Sequence, residues 1–147
     1  MPTEPHSQAL RSGRFSAPGM VYLVTAVTAQ RRAVFADFAA ARHLIRCMHH
    51  PAMLERAATL AFVVMPDHLH WLMQLQAGAQ LSECVQRLKS MSTRGIAPGL
   101  WQRGFHDHAL RREEDLPALA RYVVANPVRA GLCPRTGAYP HWDALWL

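Results

Sequence analysis

The stretch LAFVVMPDHLHWLMQLQ, residues Leu60–Gln76, places two histidines one residue apart within an apolar run. Successive side chains of a β-strand point to opposite faces, so His68 and His70 would share one face, roughly 6 to 7 Å apart along the backbone. Two imidazoles held rigidly in a dry strand can bind one metal ion through bonds of about 2.0 to 2.2 Å. The alternative is a chance pair in a chain with nine histidines. Without a third ligand the pair does not decide between the two.

The same stretch predicts a β-hairpin, because Pro66 and Asp67 favour a turn between two apolar strands. Outward from it, periodicity and capping residues predict a mixture of strands and helices joined by short links, which indicates the α+β class. The further predicted elements are a strand over 21–28, a helix from Asp37 to about His50, a helical piece over 52–58, a helix capped by Ser82 and reaching about Ser92, and a strand over 100–110 bent at Gly104.

A second segment, Asp115–Leu132, offers a nucleophile and a further ligand. Asp115 is typical of a helix N-cap, and Pro127 would bend or end the helix that follows. Tyr122 and Asn126 are four residues apart and are therefore predicted to be neighbours on that helix. Together with the two histidines they can form a site of one nucleophile and three ligands. A half-buried tyrosine and an asparagine that ends the helix before proline form the alternative.

Composition limits the class of protein. A chain of 147 residues, half of them hydrophobic, suits one domain with a core that needs no disulfides. Three cysteines without a CxxC spacing predict reduced thiols and a cytoplasmic location, and neither a secretory signal nor a membrane-spanning run is expected. The net charge of +6 favours a polyanionic partner, and Lys89 is the only lysine among sixteen basic residues.

Three blocks resemble the REP-associated tyrosine transposases, a branch of the single-tyrosine HUH transposases. The blocks are VVMPDHLHWLMQL (63–75), LWQRGFHDHALR (100–111) and ARYVVANPVRAGL (120–132). Their order and separation are also similar, and the resemblance covers roughly residues 14–142. Residues 1–13 are polar, with Pro2, Pro5 and Gly13, and are expected to form a flexible arm. It implies a ferredoxin-like HUH endonuclease fold, an antiparallel sheet of four to five strands with helices packed on it.

The resemblance also implies a chemistry. Tyr122 would attack a DNA phosphate to form a 5′-phosphotyrosine, with Mg²⁺ or Mn²⁺ held by His68, His70 and Asn126. His108 matches a recurring histidine and, with Asp107, is expected to line or brace the site, although His106 and His108 form a rival His-x-His pair on spacing alone. The expected partner is single-stranded DNA carrying REP-type hairpins. Candidate DNA contacts are Arg14, Arg31, Arg32, Arg87, Arg94 and Arg129.

The sequence leaves the oligomeric state, the preferred DNA sequence and the type of reaction open. The chain would be a monomer or a homodimer, associated with the nucleoid. Asp67, Val124 and Ala125 depart from the residues usual at those positions, which leaves the preferred DNA sequence undefined without removing a catalytic group. A catalytically silent DNA-binding protein at repeats and a metal-dependent hydrolase that uses water are the two competing hypotheses. A covalent adduct between protein and DNA would separate strand transfer from both.

Overall fold

The computed structural model of the protein describes residues 19–111 and 115–145. The predicted arm over 1–13 and the candidate contact Arg14 lie outside these residues. The elements follow in chain order as β1 (Val21–Val27), α1 (Phe38–Met48), α2 (Pro51–Leu54), β2 (Ala57–Met65), β3 (His68–Leu75), α3 (Leu81–Ile96), β4 (His106–Ala109), α4 (Leu116–Val124), α5 (Asn126–Arg129) and β5 (Trp142–Ala144). None of the helices described is long and apolar enough to cross a membrane.

The five strands form one antiparallel sheet in the order β4-β1-β3-β2-β5. The predicted α+β class and the antiparallel sheet of four to five strands with helices are confirmed. In the central hairpin Met65 pairs with His68 across the predicted turn, and Val63 pairs with His70. Strand β1 pairs with the other edge of β3, so that Thr25 lies opposite His70. Both histidines therefore lie on one face of the sheet, as the two-residue period requires.

One face of the sheet carries the main core, since it is covered by the two longest helices. Val24, Trp71 and Phe62 form one row across β1, β3 and β2 and are almost completely buried there. Leu44 of α1 and Leu88 of α3 belong to the same apolar cluster. Burial of this size is the dominant stabilising contribution to a domain of this length.

The opposite face is covered only in part, by α4. Ala120 and Val124 pack with Ala61 and Leu72, and Val123 packs with Val63 and other apolar residues of a small third cluster. The helix thus lies over β2, β3 and β5. Val21 and Leu23 of β1 pack against the same cluster as Ala61 and Leu72. Thr25 of β1 and His106 of β4 are paired polar residues on the remainder of this face, next to His70.

The helix caps confirm two of the predicted starts. The Asp37 carboxylate accepts from the Ala40 backbone N–H, and that of Asp115 accepts from Ala118. Other boundaries were predicted wrongly. The helical piece over 52–58 ends at Leu54 because Ala57 already pairs with Leu75. The predicted Ser82 cap is also wrong, since α3 begins at Leu81 and continues to Ile96.

The predicted strand over 100–110 is shorter in the structure. Only His106–Ala109 forms strand, although Trp101 makes an isolated bridge to Thr28. Gly104 has a φ of +71°, a left-handed conformation that glycine adopts readily, so the chain leaves the ladder between these points. Asn126 does not continue the helix of Tyr122 either. Helix α4 ends at Val124 and Asn126 begins α5, with Pro127 in its first turn.

Candidate active site

The two histidine rings of β3 lie side by side. The ring centroids of His68 and His70 are 4.7 Å apart and the rings are nearly perpendicular. Both side chains are half-buried. This is the arrangement expected of two imidazoles that face one point, because i and i+2 side chains of a strand project in the same direction.

A hydrogen bond to Nδ1 fixes each ring. Nδ1 of His68 lies 2.7 Å from the Asp67 carboxylate, which can only accept, so Nδ1 carries the proton and Nε2 keeps its lone pair. Nδ1 of His70 lies 2.9 Å from the Thr25 hydroxyl. When that Nδ1–H donates to Thr25, Nε2 of His70 has its lone pair as well. Such partners orient metal-binding histidines and hold them in the correct tautomer.

Asp67 is itself held from two sides. The Arg31 guanidinium donates to its other oxygen at 3.0 Å, and the Thr28 backbone N–H donates to its carbonyl at 2.9 Å. Burial would raise the pKa of the Asp67 carboxyl, but the hydrogen bonds from His68 and Arg31 outweigh it, and the pKa lies below its ordinary value. Gln30 and Arg31 both have positive φ, at 57° and 52°. This uncommon backbone is the turn from which Arg31 reaches Asp67.

The His70 imidazole is neutral at physiological pH. Burial, the neighbouring His68 and the Arg129 guanidinium lower its pKa from 6.5 to about 4. A neutral ring is the form that binds metal. Among the described residues no third His, Cys, Asp or Glu joins the pair. A further protein ligand from that part of the chain would therefore be of another type, such as the amide of the half-buried Asn126.

Tyr122 lies on α4, the helix that covers part of the same face. The neighbouring Val123 packs against Val63, which is in register with His70, whereas Tyr122 itself is 59% exposed. The Arg129 guanidinium stacks on the Tyr122 ring, 3.7 Å from its centroid, and donates to the Tyr122 carbonyl at 2.7 Å. Arg129 thus contacts the candidate nucleophile and acts electrostatically on His70.

The structure separates the other candidate residues. His106 lies across β1 from His70, through Thr25, and His108 follows on the same face. Asp107 pairs with Val24 and is buried on the opposite face, so it does not line the open face, and its expected role in bracing the site stays a prediction. Arg87 forms an ion pair with Glu83 on α3, in the helix layer of the other face. Arg32 donates to the Gly99 carbonyl, and Arg94 faces a cavity beside the 99–104 segment.

Sequence reasoning missed two residues that hold the site together. Asp67 stands directly before His68, so its contact with that ring was open to prediction from proximity. Thr25 precedes its partner by 45 residues, and only the register of β1 on β3 brings them together. A third omission is Lys89, a charged residue of a type that is ordinarily found in solvent. It is only 9% exposed, and its ammonium donates to the carbonyls of Gln102 and Gly104.

Comparison with solved structures defines the class of fold. A REP-associated tyrosine transposase bound to a REP hairpin superposes with a TM-score of 0.72 at 23% identity, over 88% of this chain and 79% of that one. A Deinococcus radiodurans protein assigned as a transposase gives a TM-score of 0.55 at 21% identity, over 78% and 95% of the two chains. The antiparallel sheet and its helices are thus a fold found in transposases.

The family follows from the sequence. The profile of the family Transposase IS200 like matches residues 16–126, and this chain belongs to that family. The REP-associated tyrosine transposase of Escherichia coli K12 is 29% identical over 82 residues, and a Haemophilus influenzae protein assigned to the same group by name is 29% identical over 111. The matches cover 54% and 65% of this chain. They cover 50% and 60% of the two relatives, so the chain spans about half to three-fifths of their length.

Proposed function

We propose that this protein cleaves and rejoins single-stranded DNA through a covalent bond to Tyr122. The observation that carries the proposal is the pair His68 and His70, each fixed through Nδ1 and aimed in one direction, beside a helix that presents an exposed tyrosine. The site lies on the open part of a sheet face, where an extended strand of nucleic acid has access. Family membership supports the assignment.

In the proposed reaction the Tyr122 hydroxyl attacks a phosphorus atom of the DNA backbone. The bond between phosphorus and the 3′ oxygen breaks, the tyrosine oxygen takes its place as a 5′-phosphotyrosine, and the leaving 3′ oxygen gains a proton as the tyrosine loses one. The energy of the phosphodiester is kept in the new bond, so a 3′-hydroxyl can reverse the step and join strands. No water is consumed in either direction.

The chain's own residues orient this step. His68, His70 and the Asn126 amide would hold Mg²⁺ or Mn²⁺, which when bound polarises a phosphate oxygen and neutralises the charge that develops there. Asp67 and Thr25 keep the two imidazoles in place, and Asp67 holds His68 in the tautomer that leaves Nε2 available. His70 has the same tautomer when its Nδ1–H donates to Thr25. Arg129 holds the Tyr122 ring and adds positive charge where the phosphate would approach.

The proposed substrate is a REP-type DNA hairpin with single-stranded flanks. Both relatives carry REP in their names, and one neighbour in fold was solved with a REP hairpin. The net charge of +6 and the excess of arginine fit a DNA partner. We further propose that the protein acts in the cytoplasm at the nucleoid, as a monomer or a homodimer, with Arg31, Arg32, Arg87, Arg94 and Arg129 among the candidate DNA contacts.

The deciding experiment compares wild type, Tyr122→Phe and Tyr139→Phe on labelled hairpins with randomised flanks, with Mg²⁺ or Mn²⁺, on a denaturing gel. Tyr139 is the matched control because its hydroxyl donates to the Val64 carbonyl and has no role in the reaction. An adduct that forms in wild type and Tyr139→Phe, and disappears in Tyr122→Phe and with chelator, is the expected result.

Two other results would replace the proposal. Cleavage that persists in Tyr122→Phe would identify a hydrolase that activates water. Tight binding without cleavage in any of the three proteins would identify a DNA-binding protein that does no chemistry on its target.

A further inference from the structure

A small cavity adjoins the histidine pair on the same face of the sheet. Its volume is about 290 Å³, and its lining includes Thr25 and Val27 of β1 and His106 of β4. Thr25 is hydrogen-bonded to His70, and Val27 is in register with His68. The cavity therefore begins one side chain away from the proposed metal ligands.

The remaining wall is formed by the segment 101–105, which is held in place by hydrogen bonds to α3 and β1. The buried Lys89 ammonium donates to the carbonyls of Gln102 and Gly104, and the Trp101 indole N–H donates to the Ser92 hydroxyl at 2.9 Å. The Gln102 backbone N–H donates to the Val27 carbonyl at 2.9 Å. A loop anchored at so many points loses little conformational entropy when a ligand binds to it.

The side chains around this cavity suit one unpaired nucleotide. His106 provides a ring on which a base can stack, Gln102 provides an amide for a base edge, and Arg103 provides a guanidinium for a phosphate. Phe105, which packs against the main core, contributes an apolar wall to the cavity. Gln102, Arg103 and His106 are exposed to solvent, and none of the lining residues is acidic. The volume is near the lower end of the range for ligand pockets, roughly 300 Å³, which favours a single nucleotide over a larger group.

We propose that this cavity binds the unpaired nucleotide next to the phosphate that is cleaved at His68 and His70. The inference rests on the proposed function, because it takes single-stranded DNA as the substrate. It assigns to Gln102, Arg103 and His106 the recognition of one nucleotide beside the reaction centre, with Phe105 as an apolar wall. Arg103 fixes the backbone on one side of the scissile bond while the histidine side holds the scissile phosphate itself.

The test uses photo-cross-linking in the Tyr122→Phe background, so that binding is observed without chemistry. The probes are hairpins with randomised single-stranded flanks in which one position at a time carries 5-iododeoxyuridine. Trypsin cleaves after Arg103 and Arg111, so a base stacked on His106 would label the peptide 104–111. We expect this label from a single flank position, the one that adjoins the bond cut by the wild type.

Affinity measurements with matched arginine variants complete the test. Arg103→Ala should weaken binding of flanked hairpins about tenfold, and should leave hairpins without flanks unchanged. Arg46→Ala is the control, since Arg46 is an exposed arginine on α1, in the helix layer of the opposite face.

The inference would be overturned if the cross-links were confined to other peptides. It would also be overturned if Arg103→Ala and Arg46→Ala lost affinity for flanked hairpins to the same extent. If the wild type forms no adduct with any DNA, the proposed chemistry fails. The cross-link and the Arg103 comparison would still decide whether the cavity binds a nucleotide.

Discussion

The two faces of the sheet are built from neighbouring residues of the same strands and serve different ends. On one face Trp71, Val24 and Phe62 are buried under two helices and have no access to solvent. On the other, His70 and Thr25 lie at the edge of a single helix, with a cavity beside them. The strand alternates between these environments with every residue.

This difference shows how a small domain can combine stability with an open site. The closed face contributes most of the apolar burial. The open face can therefore leave polar groups near solvent at little cost in stability. The backbone of β3 is fixed by the closed face, and that rigidity is what holds the His68 and His70 rings at a constant separation.

The largest effects are expected from substitutions of two adjacent residues of β3. His70→Ala should reduce metal-dependent cleavage by about a thousandfold, because it removes a proposed ligand, and should lower the free energy of unfolding by only about 1 kcal/mol. Trp71→Phe should have the reverse pattern. This variant loses side-chain volume in the core and the hydrogen bond from the indole N–H to the Thr59 hydroxyl, which should lower the free energy of unfolding by roughly 1–3 kcal/mol. Its cleavage activity should be unchanged.

Urea unfolding and single-turnover cleavage of both variants would check this pair. Loss of activity in Trp71→Phe at a temperature where it remains folded would mean that the two faces are not separable.

A smaller effect is expected at the residue that orients His68. Asp67→Ala removes the acceptor of the Nδ1 proton and should weaken Mn²⁺ binding by about 10- to 100-fold. Asp67→Asn keeps an acceptor oxygen at the same position and should change the affinity only a few-fold. Calorimetric titration with Mn²⁺ would measure both. Equal affinities in wild type and Asp67→Ala would show that the hydrogen bond does not prepare the ring for metal.

Arg129 should affect the rate through Tyr122. Arg129→Lys keeps the positive charge but loses the planar group that stacks on the ring and reaches the Tyr122 carbonyl. We expect adduct formation to slow about tenfold in Arg129→Lys while hairpin affinity stays close to that of wild type. Arg129→Ala should lower both quantities. A wild-type rate in Arg129→Lys would assign Arg129 to DNA binding alone.

The smallest effect is expected on stability, from a buried histidine on the closed side of the sheet. His141 is 5% exposed, and its Nδ1 has no hydrogen-bond partner in the described parts of the chain. Burial, together with the Arg42 guanidinium, lowers the pKa of His141 below its ordinary value. The unfolded chain therefore binds a proton at His141 more readily than the folded chain does. The contribution of His141 to the free energy of unfolding is constant above about pH 6.5. As the pH falls below this value, the contribution lowers the free energy of unfolding by at most about 1.4 kcal/mol per pH unit.

Urea unfolding of wild type and His141→Phe at pH 7.5 and 5.5 would measure this contribution. The variant should lose less stability between the two values. An identical loss in both proteins would place the pH sensitivity elsewhere.

Local signals in the sequence were sufficient for the hairpin, for two helix starts and for the shared face of the histidines. Asp37 and Asp115 cap helices through contacts three residues away, and His68 and His70 are related by the period of one strand. Each of these features depends on residues close together in the chain, so a pattern can reveal it.

The remainder depends on pairings between distant segments. Thr25 becomes a partner of His70 only through the register of β1 on β3, and Asp107 reaches the buried face of the sheet because β4 is aligned on the same strand. The 101–105 segment belongs to the predicted strand over 100–110 and does not form strand in the structure. Lys89, thirteen positions before Gln102, draws it out of the ladder, and a charged residue on a helix is ordinarily expected in solvent.

Lys89 also has a practical consequence, because it carries the single lysine amine in the 147-residue sequence. Its ammonium is enclosed by the two carbonyls of the 101–105 segment. An amine-specific acylating reagent can modify it only when that segment separates from α3. Mass spectrometry can follow the rate of acetylation at this one side chain. That rate therefore reports how often the segment opens in the native protein, without any introduced label.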